Sequence, residues 1–166
     1  MRQFYDTFST PVGDFSIAVD ANGSVIATAF GALPELRERF AADEVVQEPA
    51  RVAAARAEVT AYFAGKREAF TLKLAPSGTP FQQSVWAALQ RIPYGQTRSY
   101  GELATELGNP GASRAVGRAN ATNPIALIVP CHRVIGSDGA MTGFAFGEEI
   151  KRWLLAHEAA SSPALV

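Results

Sequence analysis

The chain is poor in the residues that staple small proteins together: among 166 residues it has one cysteine, Cys131, and two histidines, His132 and His157. A single thiol cannot close an intramolecular disulfide, there is no Cys-x-x-Cys, and the histidines lie too far apart in sequence for a local ligand motif. Neither a disulfide framework nor a structural metal site is expected, and a reducing compartment suits such a chain. No stretch approaches the ~20 consecutive apolar residues of a membrane span, and MRQFYDTFSTPVGDF lacks the apolar core of a signal peptide, so a cytoplasmic protein with no membrane contact is expected. Excess charge is also missing. The net charge is −1, where nucleic-acid binding usually leaves a basic footprint, so any case for DNA must be local. What is present is an ordinary globular composition, 48% hydrophobic, which excludes disorder and allows one sizeable core or two small ones.

Residues 14–19 alternate apolar and polar, Asn22-Gly23 supplies a strong turn signal and residues 24–30 resume a β-prone run, which predicts a hairpin. A helix is predicted from Pro34 to Ala41, and a second with Val52, Ala55, Arg56, Val59, Tyr62 and Phe63 on one face, ending at Gly65. Phe70, Leu72 and Leu74 alternate as a short strand, and APSGTP reads as a linker. These features divide the chain into an N-terminal domain, 1–75, and a C-terminal one, 76–166.

Thr79-Pro80-Phe81-Gln82 is a capping box opening a helix with Phe81, Val85, Ala88, Leu89 and Ile92 on its apolar stripe. Ser99-Tyr100-Gly101-Glu102 is another, and Gly108-Asn109-Pro110-Gly111 stops the helix it opens. In the next helix Ala112, Ala115, Val116 and Ala119 form one face, with Ser113, Arg114, Gly117 and Arg118 opposite. Two short helices around a tight turn make a helix-turn-helix candidate, although such pairs often only pack together. Arg114 and Arg118 sit four apart on a face otherwise small, which fits close approach to a minor groove about 6 Å wide.

Ile125–Val129 is a continuous apolar run that predicts a buried strand ended by Pro130, with Cys131 at its exit. Cys131 and His132 would face opposite ways in a strand, so a nucleophile–base pair needs a turn or a bridging water; an inert buried thiol is the competing reading. In EEIKRWLLAHE, Ile150, Trp153, Leu154 and His157 mark an apolar stripe, and Glu158 falls on its buried side. There it either pairs with His132 or frays into solvent.

Pro130-Cys131-His132-Arg133-Val134-Ile135-Gly136, preceded by Asn123-Pro124 and Arg114-Ala115-Val116-Gly117 and followed by Thr142-Gly143 and Lys151–Glu158, resembles the active-site region of the O6-alkylguanine-DNA alkyltransferases. The resemblance covers about residues 79–158 strongly. It implies an α+β protein: a small N-terminal α/β (ribonuclease H-like) domain, then a mostly helical C-terminal domain with a helix-turn-helix and an active-site strand. It implies direct-reversal DNA repair, in which the alkyl group of a flipped O6-alkylguanine, and of O4-methylthymine, moves irreversibly to Cys131 in a single turnover. His132 and Glu158 would form the proton relay, Tyr100 would help turn the nucleotide out and donate to guanine N3, and Asn123 would be the hinge asparagine. Ala112, Ser113, Arg114 and Arg118, with Tyr100, would meet double-stranded DNA through its minor groove, Arg114 filling the vacated stack. Val134, Met141, Phe144, Ala145 and Phe146 would line the pocket. No cofactor or metal is implied, and a monomer is the default.

Two features stand apart. The family commonly has Tyr-x-Gly-Gly where this chain has Phe144-Ala145-Phe146-Gly147, so a narrower pocket is expected unless Phe146 points outward. From Phe81 onward, Arg91, Arg98, Arg114, Arg118, Arg133, Lys151 and Arg152 slightly outnumber the acids, which makes this half the better DNA binder. Two other functions remain compatible with the residues: a helix-turn-helix regulator with an inert or redox-sensing cysteine, and a cysteine hydrolase.

Overall fold

The computed structural model describes residues 2–42 and 44–161. The chain is mixed α+β and forms two compact units, one from the first 77 residues plus Pro124–Ile128, the other from Gly78–Asn123 and the chain from Val129 onward. The division differs from a single cut at residue 75 because the 124–128 segment pairs with a strand of the first unit. Thr28 donates its N–H to Pro124 O (2.9 Å) and its hydroxyl to Ala126 O (2.6 Å).

In the first unit β1 (Arg2–Thr10), β2 (Gly13–Val19), β3 (Val25–Phe30) and β4 (Glu44–Gln47) form a sheet of order β3-β2-β1-β4. The first three strands are antiparallel, and β4 runs parallel to β1. Helix α1 (Leu33–Arg37) stops short of the predicted Ala41, whereas α2 (Pro49–Phe63) buries Val52, Ala55, Val59 and Tyr62 of the predicted face but leaves Arg56 exposed and Phe63 half-buried. The hairpin forms as expected, but the alternation at 70–74 makes no strand; Leu74 alone bridges to Val25.

The second unit holds α3 (Pro80–Gln90), β5 (Arg98–Ser99), α4 (Tyr100–Glu106), α5 (Ser113–Ala121), a 3-10 turn (Cys131–Arg133), β6 (Val134–Ile135) and α6 (Glu148–Ser161). Both predicted capping boxes close. Thr79 Oγ1 accepts from Gln82 N (3.1 Å) and Gln82 Oε1 from Thr79 N (2.9 Å), and Ser99 and Glu102 do the same at 3.0 and 2.8 Å. Phe81 leaves the predicted stripe and is exposed, while Val85, Ala88, Leu89 and Ile92 are buried. Trp86 Nε1 donates to Ala119 O (2.8 Å) and so fixes α3 against α5.

The predicted strand at 125–129 is instead a buried turn with isolated bridges, and Leu127 has φ 74°. A left-handed leucine costs about 1–2 kcal/mol, which burial of its side chain offsets. The apolar run therefore recorded burial rather than extension. Among the described residues no helix is long and apolar enough to cross a membrane.

Candidate active site

Pro130 sets the geometry of the cysteine. With φ −81° and ψ 66° it makes an inverse γ-turn, closed by Cys131 N–H on Val129 O (2.8 Å), and Arg133 N–H on Pro130 O (3.0 Å) then closes the 3-10 turn. The chain leaves extended geometry at the residue where a nucleophile–base pair requires it to. Two amides from the end of α5 hold this corner: Asn123 Nδ2 donates to Val129 O (2.9 Å) and Asn120 Nδ2 to Cys131 O (3.3 Å).

His132 is fully buried, and its Nε2 lies 2.7 Å from Glu158 Oε2. Glu158 is buried as well, and Arg133 grips it twice, Nε to Oε1 at 2.8 Å and Nη2 to Oε2 at 3.1 Å, while Nη1 donates to Ile92 O (2.9 Å). Burial alone would raise the Glu158 pKa; the charges and hydrogen bonds of His132 and Arg133 outweigh it and hold the carboxyl well below the usual carboxylate range. Burial pushes the His132 pKa down, with Glu158 opposing and the Arg133 and Lys151 charges assisting, so the ring is neutral at pH 7. An ionised carboxylate can only accept, so His132 Nε2 carries the proton. Nδ1 is left with a lone pair, and it is buried with no hydrogen-bond partner among the described residues. That is the condition of a base waiting for a proton.

Cys131 retains 4% exposure. Tyr100, half-buried at the start of α4, donates its hydroxyl to Thr142 O (2.8 Å). Burial, then the charge of Cys131, raises its pKa, so it remains a donor at neutral pH. Gly143, at φ 80°, lets this contact form, because a Cβ there would fall on the Tyr100 hydroxyl. Val134 is buried, Met141, Phe144 and Phe146 are half-buried, and Ala145 is exposed. The Phe144 and Phe146 rings meet edge to face at 5.7 Å between centroids. On α5, Arg114 and Arg118 are exposed and Ala112, Ser113 and Gly117 half-buried.

Three site residues escaped the sequence reading. Arg133 and Lys151, counted there as DNA-facing cations, are buried, which leaves exposed acids and bases of this half evenly matched. Asn120 also lacked a signal. For Lys151 a signal existed: Lys151, Leu154 and Glu158 are the buried stripe of α6, one residue round from the predicted Ile150, Trp153 and His157, which are half-buried. Among the described residues no three metal-ligating side chains converge.

Over 152 residues, 92% of this chain and 96% of the relative, the sequence is 47% identical to the methylated-DNA–protein-cysteine methyltransferase of Methanosarcina acetivorans. The chain belongs to the methylated-DNA–protein-cysteine methyltransferase family. The methyltransferase of that name from Mycobacterium tuberculosis is 45% identical over 162 residues, 96% of this chain and 94% of the relative. Residues 80–160 match the family model described as 6-O-methylguanine DNA methyltransferase, DNA binding domain. The crystal structure of Mycobacterium tuberculosis OGT in complex with DNA superposes with a TM-score of 0.86 at 43% identity, covering 97% of this chain and 96% of that one.

Proposed function

We propose that the chain is a direct-reversal DNA repair methyltransferase that transfers the alkyl group of O6-alkylguanine, and of O4-methylthymine, to Cys131 once and irreversibly, with the C-terminal domain, 76–166, binding DNA and performing the transfer. The observation that carries this reading is the buried His132 Nδ1, a deprotonated acceptor one residue from the thiol, in a ring held by Glu158 and Arg133. Thiols at their ordinary pKa of about 8.5 are only a few per cent thiolate at pH 7, so the base is needed. His132 takes the Cys131 proton, directly or through one water, and the thiolate attacks the alkyl carbon. The S–C bond forms, the C–O6 bond breaks, and the electron pair stays on the base, where the Tyr100 hydroxyl offsets the developing charge once it has left Thr142 O.

An alkyl group on O6 is shielded by stacking, so the nucleotide must be turned out of the duplex at a cost of a few kcal/mol. The small, half-buried Ala112, Ser113 and Gly117 allow α5 to approach the minor groove, and exposed Arg114 is the side chain available to fill the vacated stack, with Arg118 one turn on for phosphate. Asn123 holds the corner between α5 and the Cys131 turn, and the protein acts as a monomer in the cytoplasm.

Intact-protein mass spectrometry after incubation with a duplex bearing O6-methylguanine tests the reading. One added CH2 on the peptide containing Cys131, with permanent loss of further transfer, is expected; an unmodified peptide or repeated turnover overturns it. The edge-to-face contact of Phe144 and Phe146 supports a pocket narrowed toward small adducts. Phe146→Gly is accordingly expected to speed transfer from O6-benzylguanine by about tenfold or more, the effect of some 1.4 kcal/mol of relieved overlap, with little change for O6-methylguanine. Equal rates for the two adducts in the unaltered protein count against that assignment.

A further inference from the structure

Asn120 of α5 is 1% exposed and lies on the inward face of the helix with Val116 and Ala119. Its Nδ2 donates to Cys131 O (3.3 Å), and this contact orients the amide, because the opposite rotamer would set two acceptors against each other. Oδ1 is then buried with no hydrogen-bond partner among the described residues. A buried acceptor without a partner is costly and rare, and beside a nucleophile it marks the place of a donor that arrives with the substrate.

The Tyr100 ring packs on the same helix. A Cβ built on Gly117 would stand 3.8 Å from two of its ring carbons, and Asn120 is one turn further along α5. Asn120 therefore spans from the backbone of the nucleophile to the neighbourhood of the Tyr100 phenol. Its amide also opposes the rise in the Tyr100 pKa that burial and the Cys131 charge cause, as a group within reach of the hydroxyl does. A guanine in this pocket has its groups in a fixed order: from O6 the ring runs through C6, N1 and C2 to N3, and C2 carries the exocyclic amine. Alkylation of O6 leaves N1 with a lone pair, so the amine is the one donor on that edge. With the alkyl carbon at Cys131 and N3 at Tyr100, the amine falls between them.

We propose that Asn120 is a base-reading residue: its Oδ1 accepts a hydrogen bond from the 2-amino group of the flipped O6-alkylguanine while its Nδ2 holds the carbonyl of the nucleophile. The proposal rests on the repair function above and names the group by which this pocket selects guanine. Turning the Tyr100 hydroxyl from Thr142 O to the base, the movement that function requires, is also what opens Oδ1 to the amine. A pocket that buries an acceptor for one substrate group rejects the analogue lacking that group, because the acceptor then stays unpaired.

The test is single-turnover transfer, at saturating protein, from matched duplexes carrying O6-methylguanine or O6-methylhypoxanthine, which lacks only the 2-amino group. The wild type should be about tenfold slower with the second, the effect of one hydrogen bond. Asn120→Leu, close in volume and without an acceptor, should slow transfer from O6-methylguanine about tenfold more than from O6-methylhypoxanthine, and differences in stacking and pairing between the two bases cancel in this cycle. Asn120→Asp, which keeps an acceptor, should retain the wild-type ratio between the two. Loosening of the Cys131 turn, the purely structural role, would slow both substrates equally and overturn the proposal. Should Asn120→Leu not fold, the wild type decides, since equal rates from the two duplexes overturn the proposal as well. Transfer from neither duplex would sink the repair function itself, whereas transfer without dependence on the amine sinks this inference alone.

Discussion

Glu158→Gln is expected to slow transfer to Cys131 by a factor on the order of 10²–10⁴, the usual share of general acid–base catalysis. The reason is the tautomer. Glu158 Oε2 accepts from both His132 Nε2 and Arg133 Nη2. A glutamine must turn its oxygen toward the Arg133 guanidinium, because its own N–H groups would repel that cation, and this aims the amide NH2 at His132 Nε2. The ring then keeps its proton on Nδ1, which can no longer accept one. Single-turnover transfer from an O6-methylguanine duplex between pH 5 and 9 measures it. In the wild type the pKa of buried His132 is depressed, so the rate should hold as pH falls through the ordinary imidazole value of about 6.5 and decline only below it. A folded variant within threefold of wild type across that range would show that His132 is not the base.

Arg133→Met should cost about 3–5 kcal/mol of stability, the range for removing one partner of a buried ion pair. Glu158 would lose both guanidinium bonds in a place where burial already opposes its charge, and Ile92 O would lose its donor. The pH dependence follows from the depressed carboxyl pKa. The stabilisation is complete above the unfolded value of about 4.3 and is lost as pH falls toward the folded one, so the wild-type advantage over the variant should shrink in acid. Adding Glu158→Leu to Arg133→Met should restore much of the stability, because no buried charge is then left uncompensated, although Ile92 O and His132 Nε2 lose their partners, and transfer should stay abolished. Thermal or urea unfolding of the four proteins of this cycle measures the coupling. A single variant within about 0.5 kcal/mol of wild type would mean that Arg133 does not compensate Glu158.

The C-terminal half was readable where local chemistry dictates local structure. Capping boxes at Thr79 and Ser99 fix helix starts through their own hydrogen bonds, and Gly108-Asn109-Pro110-Gly111 can only break a helix. The helix face left Glu158 either paired with His132 or frayed into solvent; the family resemblance chose the pair, and the two side chains do meet, at 2.7 Å. Arg133 was hidden because nothing local distinguishes an arginine that reaches inward from one that reaches outward. Strand β1 was missed because Asp6 interrupts the inward alternation of Phe4 and Phe8, and only the fold reveals that Arg56 on α2 meets that carboxylate at 3.1 Å. The 125–129 run was misread because burial and strand give the same apolar string.

The placement of Pro124–Ile128 in the first unit has a consequence for how this molecule can be divided. Each unit is sewn from two separate lengths of chain, so no single scission, and no contiguous excision by recombination, delivers either one whole. A fragment running from Gly78 to the C-terminus would carry Pro124 O and Ala126 O stripped of Thr28, seven and five residues before the nucleophile. Shuffling of the two halves between relatives is therefore tolerable only if this pentapeptide and β3 travel as a matched pair.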